Sequence, residues 1–306
     1  MFNQEIWENR KVFVTGHTGF KGSWLSFWLT QLDAKVIGYA LDPLTDPNLF
    51  SVLDIEKNII DHRDDICDLT TLERVIKSAK PEIIIHMAAQ SLVRESYMDP
   101  VGTYETNVLG TVNILEASRI CDSVRVILIV TSDKCYENRE IDYNYTESDP
   151  MGGHDPYSSS KGCAELVTSA FRRSFFEHDS RVAVASARAG NVMGGGDWAA
   201  DRIIPDSMRA FNNNQNLRVR NPDAIRPWQH VLEPLSGYMT LCEKMWAQPS
   251  KFSGGWNFGP EDESVSTVEE VTERISDLWG NNASWDKSNG DHPHEATLLK
   301  LDTTKA

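Results

Sequence analysis

The sequence predicts an α/β protein with a doubly wound parallel sheet and a smaller, loop-rich C-terminal lobe. In the first 190 residues, short runs rich in β-branched residues alternate with longer patterns of helical periodicity. Several of these runs are apolar on both faces, which is typical of parallel strands covered by helices on both sides. After Asn191 the sequence becomes richer in loop residues, and Gly194-Gly195-Gly196 begins a loop.

Each predicted element follows from a local pattern. Strands are predicted at 11–15, 35–39, 58–61, 82–86, 124–131 and 181–187. Helices are predicted at 23–32, 69–79, 103–118 and 157–176. The run Gly254-Gly255-Trp256-Asn257 predicts a turn. We expect residues 1–190 to form the sheet domain and residues 191–306 to form a lobe that is interleaved with it.

The bulk composition limits the possible functions. The chain has 306 residues, of which 40% are hydrophobic, so it can bury a large core. Its formal net charge of −15 argues against nucleic acid as a partner, because phosphates require a basic surface. No apolar run reaches the roughly 18 residues of a membrane span, so no membrane partner is expected. The five cysteines are scattered, and His292 and His294 lack nearby ligand residues, so we expect a cytoplasmic protein without a metal site.

A glycine-rich turn directly follows the first predicted strand. It reads T-G-H-T-G-F-K-G and contains Gly16, Thr18, Gly19, Phe20 and Gly22. Glycines at this spacing let the backbone turn tightly and approach a pyrophosphate, whose charge lies at the positive N-terminus of the next helix. Because a strand precedes the turn and a helix follows it, the motif predicts a dinucleotide-binding (Rossmann) domain.

Residues at the ends of the next three strands complete the predicted cofactor site: Asp42, Asp65, Ile66, Ala88, Ala89 and Gln90. The carboxyl ends of parallel strands meet at one edge of a sheet, where the cofactor cleft forms. Asp42 follows the second strand and is a candidate for the adenosine ribose hydroxyls. An acidic side chain there would repel a ribose phosphate, which favours NAD over NADP.

Tyr157 and Lys161 stand one helical turn apart on the same face of a predicted helix. A phenol is a poor base at neutral pH, but a neighbouring cation favours the phenolate and lowers the pKa. Such a phenolate can accept a hydroxyl proton while hydride leaves the same carbon. Ser132, at the end of the preceding strand, would complete a serine–tyrosine–lysine group.

The glycine turn, Ser132 and Y-x-x-x-K, in this order, resemble the extended short-chain dehydrogenase/reductase superfamily. Asn107 matches the superfamily's usual asparagine-bearing helix and is expected at the cofactor site. Three longer motifs resemble the CDP-glucose 4,6-dehydratase family: T-S-D-K-C-Y at 131–136, the stretch 186–206, and R-P-W-Q-H-V at 226–231. The similarity covers essentially the whole chain, but the family's further C-terminal segment is not found, so we expect an incomplete lobe.

The resemblance implies NAD as cofactor and CDP-glucose as small-molecule substrate. It implies oxidation at sugar carbon 4, loss of water across carbons 5 and 6, and return of hydride to carbon 6. Oxidation comes first because the keto group acidifies the carbon-5 hydrogen. The resemblance also implies a homodimer or higher homo-oligomer that pairs through the helices predicted at 103–118 and 157–176, and a place in deoxysugar biosynthesis.

Loss of water requires an acid for the leaving hydroxyl and a base for the carbon-5 proton. Asp133 and Lys134 are the candidates, and Asp133 is the expected acid. The related dTDP-glucose dehydratases have glutamate where this chain has Lys134. A lysine of ordinary pKa is protonated and cannot act as the base, so Lys134 either has a lowered pKa or stabilises the enolate as a cation. A structural ion pair is a third reading of Lys134.

The substrate pyrophosphate requires cations, and an arginine side chain suits phosphate oxygens. The candidate substrate-binding residues are Arg226, Arg188, Arg202, His230 and Asn191, which lies between the last predicted strand and the lobe. Two other functions are open. An epimerase of the same superfamily would return hydride to carbon 4, and a non-catalytic sensor would only bind NAD. Adjacent Asp133 and Lys134 favour elimination over epimerisation, and the intact Y-x-x-x-K favours an enzyme.

Overall fold

A computed structural model of the chain describes residues 4–178, 181–260, 265–288 and 296–306. The described strands are β1 (Lys11–Thr15), β2 (Lys35–Ala40), β3 (Ile60–Arg63), β4 (Ile83–His86), β5 (Val126–Val130), β6 (Asn144–Tyr145), β7 (Ala183–Ala189), β8 (Val192–Met193), β9 (Leu217–Val219), β10 (Ile225–Pro227), β11 (Gln229–His230), β12 (Gly254–Phe258), β13 (Val265–Thr267), β14 (Trp285–Lys287) and β15 (Lys300–Leu301).

The described α-helices are α1 (Gln4–Trp7), α2 (Phe20–Gln31), α3 (Leu49–Val52), α4 (Leu69–Ala79), α5 (Val93–Met98), α6 (Pro100–Tyr104), α7 (Gly110–Arg119), α8 (Pro156–Phe171), α9 (Ile203–Asn212), α10 (Leu232–Ala247), α11 (Pro249–Phe252) and α12 (Val268–Trp279). Two short 3-10 helices occupy Ile55–Asn58 and Asp133–Cys135, and two π turns occupy Glu105–Leu109 and Arg172–Phe176. No helix in the described ranges is both long and apolar enough to span a membrane.

The main sheet has seven strands in the order β12-β7-β5-β4-β1-β2-β3, and every neighbouring pair is parallel. Its two faces carry separate apolar cores, because successive side chains of a strand point to opposite faces. Val12 and Val14 belong to the core that includes α2 and α10, whereas Phe13 belongs to the core that includes α4 and α7. The predicted doubly wound parallel sheet is therefore confirmed.

The predicted turn at Gly254-Gly255-Trp256-Asn257 is wrong. These residues lie in β12, which extends the main sheet by pairing with β7, and Trp256 is buried. Two glycines and an asparagine have low strand propensity, but the exposed edge of β7 supplies the hydrogen bonds that a strand needs. Residues 232–258 therefore pack on the sheet, although they follow residue 190.

The lobe is built from short elements beyond the sheet edge. Two-stranded pairs join β9 with β14 and β10 with β13. A small core around Phe211, Leu217 and Val219 packs beneath α9 and α12. Because this core is small and separate from the two cores of the sheet, the lobe can present its own surface to the sheet's carboxyl edge.

Helix α8 is tied to the sheet by a buried ion pair. Glu165 of α8 accepts hydrogen bonds from Thr131 Oγ1 at 2.6 Å, Ser186 Oγ at 2.7 Å and Arg188 Nη2 at 2.7 Å. Glu165 and Arg188 are both about 5% exposed. Three hydrogen bonds compensate the loss of hydration of the carboxylate, and its pKa stays below the ordinary value despite burial because of Arg188. The pair fixes the position of α8 relative to β5 and β7.

We expect Glu165→Gln to lower the free energy of unfolding by about 3 kcal/mol, because it leaves the Arg188 guanidinium buried without a counter-charge. Denaturant unfolding followed by circular dichroism measures this change. Glu116→Gln is the control, since Glu116 pairs with Arg119 on the surface and its loss should cost less than about 1 kcal/mol. Equal effects of the two substitutions would contradict the prediction.

Candidate active site

A cleft of about 570 Å³ runs along the carboxyl edge of the sheet and continues under the lobe. Most of the residues predicted from the sequence line it. The cofactor candidates that do so are Gly16, Thr18, Gly19, Phe20, Gly22, Asp42, Asp65, Ile66, Ala88, Ala89, Tyr157 and Lys161. The other candidates that do so are Ser132, Asp133, Lys134, Asn191, Arg202 and Arg226.

The geometry of the glycine turn suits a dinucleotide. Gly16 has a φ of +72°, and a Cβ there would lie 2.7 Å from the Ala88 backbone nitrogen. A Cβ on Gly22 would lie 2.0 Å from the Gly16 oxygen, so this glycine lets α2 pack against the turn. At Gly19 a Cβ would meet only the Gly16 oxygen at 3.4 Å, an ordinary contact. The protein itself therefore tolerates a side chain at Gly19, and its absence opens the turn toward the cleft.

Thr15 and His86 hold the two strand ends that flank this turn. Thr15 Oγ1 accepts hydrogen bonds from the backbone nitrogens of Met87 and Ala88 at 3.0 and 3.1 Å, and it lies 2.7 Å from His86 Nδ1. Burial lowers the pKa of His86 to about 3, so the imidazole is neutral. No local pattern distinguishes these two residues, because both lie inside ordinary strands.

Asp42 lies at the mouth of the cleft with its side chain 88% exposed. Its carboxylate accepts a hydrogen bond from Arg63 Nη1 at 3.1 Å. Arg63 is in turn held by Asp61, which also lies 2.7 Å from His17 Nε2. Asp42 is thus oriented by a side-chain network on β3 that its own sequence neighbours do not reveal.

Gln90 and Asn107 do not line the cleft but hold the loop that does. Asn107 accepts a hydrogen bond from the Gln90 backbone nitrogen at 2.9 Å and donates to its oxygen at 3.0 Å. Asn107 Nδ2 also donates to Ser160 Oγ at 2.8 Å. Asn107 lies in a π turn, a helix irregularity that is frequent at functional sites. In this structure both residues have a positioning role.

Tyr157 and Lys161 lie in the first turns of α8, which begins after the N-cap Asp155. Burial raises the pKa of Tyr157 to about 12, although a hydrogen bond with Ser132 opposes the shift. Burial and the charge of Lys21 lower the pKa of Lys161 to about 8. In the protein alone the pKa of Tyr157 is raised rather than lowered, because desolvation and the charge of Asp133 outweigh the opposing charge of Arg202.

Lys21 is a partly buried cation of the cleft that the sequence patterns do not single out. It lies between Gly19 and Gly22 of the glycine turn, a motif whose predicted role depends on its glycines. Burial and the charge of Arg202 lower its pKa to about 8, while the carboxylate of Asp133 opposes the shift. Its Nζ lies 5.6 Å from the ring centroid of Tyr238. Partly buried Lys21 and buried Lys161 therefore line the same cavity.

Ser132 and Asp133 follow β5, where the chain enters a 3-10 helix. Ser132 Oγ donates a hydrogen bond to Asp133 Oδ1 at 2.8 Å and accepts one from the Lys134 backbone nitrogen at 3.2 Å. Burial raises the pKa of Asp133 above the ordinary value, against the opposing charges of Lys134 and Arg226. A carboxyl group with a raised pKa holds its proton more readily, as a general acid must.

The predicted substrate-binding residues divide into two groups. Arg226, Arg202 and Asn191 line the cleft. The Arg226 guanidinium donates a hydrogen bond to the Ile225 backbone oxygen at 2.9 Å. The Arg202 guanidinium forms an ion pair with Asp197 at 2.8 Å. Arg188 and His230 do not line the cleft.

The substrate-binding role predicted for Arg188 is therefore wrong. Its guanidinium is turned into the protein, where Glu165 and the Tyr136 hydroxyl, 2.6 Å from Nη1, hold it. His230 likewise lies on the surface outside the cleft, where its Nδ1 accepts a hydrogen bond from the Leu232 backbone nitrogen at 3.3 Å. In the described ranges no group of three potential metal ligands is found, and His292 and His294 lie outside these ranges.

The fold and the site together define a short-chain dehydrogenase/reductase, with a glycine turn on β1 and a tyrosine–lysine pair on α8. Residues 13–297 match the family described as GDP-mannose 4,6 dehydratase. The chain is also 54% identical to the CDP-glucose 4,6-dehydratase of Salmonella typhimurium, over 100% of this chain and 86% of that protein. The chain therefore belongs to the nucleotide-sugar 4,6-dehydratase family, and the resemblance found in its motifs is confirmed.

Solved structures share the fold at lower identity. The dTDP-glucose 4,6-dehydratase of Streptomyces venezuelae, solved with NAD bound, superposes with a TM-score of 0.81 at 24% identity, covering 96% of this chain and 89% of that one. The UDP-glucose 4-epimerase of Thermotoga maritima has a TM-score of 0.81 at 19% identity, with coverage of 96% and 90%. Dehydratases and epimerases thus share this architecture.

We expect the stability cost of buried Lys161 to depend on pH. Its pKa is about 8 in the folded chain and 10.5 ordinarily, so below pH 8 the ammonium destabilises the fold, and this cost disappears as pH rises from 8 to about 10.5. Lys161→Met should therefore stabilise the protein at pH 7 by on the order of 3 kcal/mol more than at pH 10. Denaturant unfolding of both proteins measures the difference, and an advantage that does not change with pH would contradict it.

Proposed function

We propose that this protein uses NAD to convert CDP-D-glucose to CDP-4-dehydro-6-deoxy-D-glucose. The observation that carries the proposal is the convergence of two pairs in one cleft. Tyr157 and Lys161 supply the groups for oxidising a hydroxyl, and Asp133 and Lys134 supply polar groups for a second step. CDP-glucose is chosen because the 54% identical relative carries that substrate in its name.

The cofactor fits the edge of the sheet around Gly16. The turn at Gly16, Gly19 and Gly22 and the backbone nitrogens at the start of α2 would hold the pyrophosphate. Asp42 would accept the hydrogen bonds of the adenosine ribose hydroxyls, and Asp65 and Ile66 would hold the adenine. When bound, NAD supplies the hydride acceptor for oxidation and the hydride donor for the final reduction.

The first step removes the proton of the carbon-4 hydroxyl. Tyr157 accepts this proton, and Ser132, which opposes the rise of the Tyr157 pKa, orients the sugar oxygen. A phenol with a pKa of about 12 is almost entirely protonated at neutral pH and cannot accept a proton. The positive charge near Tyr157 must therefore increase when the ligands bind, so that the pKa of the phenol falls. Bound NAD would supply a cationic nicotinamide ring, and Lys161 would add to its effect on the phenol.

The second step eliminates water between carbons 5 and 6. Asp133 is buried and holds a proton at its carboxyl group more readily than usual, so it can protonate the leaving hydroxyl. The carbonyl formed at carbon 4 stabilises the enolate left when carbon 5 loses its proton. Lys134 lines the same cleft and either accepts that proton or stabilises the enolate oxygen as a cation. An epimerase has no need of this second pair, which favours the dehydratase.

The subunit arrangement and location are further proposals. We infer a homodimer that pairs through the outer face of helices α5 to α8. Large apolar side chains are exposed on this face: Met98, Val101, Leu109, Leu166 and Phe175. Apolar patches of this kind mark interfaces between proteins. Five free thiols are compatible with a reducing, cytoplasmic location and with deoxysugar biosynthesis there.

Incubation of the purified protein with CDP-glucose and NAD tests the function directly. We expect a 4-keto sugar nucleotide, detected by its absorbance in alkali, and a loss of at least about a hundredfold in kcat for Tyr157→Phe because the base is removed. Added NADP should support less turnover than NAD because of Asp42. Formation of CDP-galactose without a 4-keto product would establish an epimerase instead.

Two substitutions distinguish the roles of Lys134. Lys134→Met removes both the base and the charge, so we expect it to abolish dehydration. Lys134→Arg keeps a cation whose pKa is too high for a base, so activity above about a tenth of normal would indicate enolate stabilisation. Loss in both variants would indicate the base. Near-normal turnover of Lys134→Met, measured by the same alkaline assay, would exclude Lys134 from the mechanism.

A further inference from the structure

Three charged residues form a bridge across the cleft at the lobe. Asp201, in the loop before α9, accepts hydrogen bonds from Arg94 Nη1 at 2.9 Å and Arg220 Nη1 at 2.5 Å. Arg94 belongs to α5 of the sheet domain, and Arg220 directly follows β9 of the lobe. All three residues line the cleft, and neither the glycine turn nor the tyrosine–lysine pair uses them.

The Asp201 carboxylate is held in one orientation. Both arginines donate to the same oxygen, Oδ1, and within the described ranges no hydrogen bond to Oδ2 is found. The residue adopts a left-handed backbone with a φ of +60°, which is uncommon for a non-glycine residue. Although partial burial opposes it, the two arginines keep the pKa of Asp201 below the ordinary value. An ionised oxygen therefore stands at the cleft with arginine donors next to it.

The lobe side of this end of the cleft carries apolar as well as charged side chains. Partly buried Val268 lines the cleft there and packs against the lobe core around Leu217 and Val219. Arg226, the proposed partner of the pyrophosphate, lies six residues after Arg220 in β10 and also lines the cleft. The lobe thus offers cations, apolar surface and one carboxylate, which are the contacts that a nucleotide requires.

We propose that Asp201 and Arg220 select the nucleobase of the substrate by its pattern of donors and acceptors. This inference rests on the proposed function, since it names the residues that read the base of that nucleotide sugar. Cytosine presents an amino donor next to a ring nitrogen that accepts, and an aspartate beside an arginine is its complement. Uracil and thymine present a carbonyl oxygen next to an N–H donor. The Asp201 carboxylate would then oppose another acceptor, and the Arg220 guanidinium would oppose another donor.

A purely mechanical role predicts a different result. If the bridge only held the lobe against the sheet domain, its loss would weaken the binding of every nucleotide to the same extent. Base selection instead requires that its loss change the ratio of the binding affinities for cytosine and uracil nucleotides. The two arginines also make a specific outcome possible for Asp201→Asn. They hold the amide oxygen in the place of Oδ1, so the NH2 group, a donor, takes the place of Oδ2.

The experiment measures binding of CDP and UDP by calorimetry to the full-length wild-type protein and to Asp201→Asn. We expect wild type to prefer CDP, and Asp201→Asn to bind CDP about tenfold or more weakly while UDP binding is unchanged or tighter. Asp201→Ala should bind CDP more weakly without any gain for UDP. Asp142→Asn is the matched control, because it removes an ion-paired carboxylate outside the cleft, and it should bind both nucleotides as wild type does.

An equal loss for CDP and UDP in Asp201→Asn would overturn the proposal and assign the bridge to domain contact, and Arg94→Gln would then reproduce that loss. Equal affinities of wild type for the two nucleotides would also overturn it. Binding involves no chemistry, so the result is separate from the proposed function. A protein that prefers CDP in this way but forms no 4-keto product from CDP-glucose would refute the function and leave base selection standing.

Discussion

The buried pair of Glu165 and Arg188 is the interaction on which the site geometry depends. It joins helix α8, which carries Tyr157 and Lys161, to β7. Glu165 also accepts a hydrogen bond from Thr131, the residue immediately before Ser132. Tyr157 and Ser132 are thereby held at a fixed separation although 24 residues of chain lie between them. A buried ion pair adds little net stability, but a mispositioned helix would leave both of its charges unpaired. The pair therefore specifies one arrangement of the reacting groups.

Charge is distributed unevenly between the surface and the cleft. The chain carries a net charge of −15, yet Lys21, Lys161, Arg202 and Arg226 line one cavity. The pKa of each of the two lysines is lowered to about 8, which means that the ammonium form is destabilised there. An anionic ligand would relieve this destabilisation. The acidic total thus says little about the ligand, because a few cations concentrated under the lobe decide it.

The residues at the strand ends could be predicted because of a simple geometric rule. The carboxyl ends of parallel strands lie at one edge of the sheet. Gly16, Ala88 and Ser132, which each follow a strand, are therefore predicted to lie at that edge. Contacts between distant segments could not be predicted in this way. β12 has weak strand propensity and forms only because β7 offers an edge, and Arg188 turns inward because Glu165 lies beneath it. Lys21 could not be predicted as a cleft residue, because no local pattern distinguishes a partly buried lysine from an exposed one.

The sequence by itself determined the class of sheet, the dinucleotide turn, the tyrosine–lysine pair and the family, because these depend on residues that are close together along the chain or fall at strand ends. Only the tertiary structure decided how those groups are tuned. Burial raises the pKa of Tyr157, the network on β3 orients Asp42, and the bridge at Asp201 joins helix α5 to the lobe. Each of these effects depends on which distant side chain lies within hydrogen-bond distance, and local patterns carry no record of it.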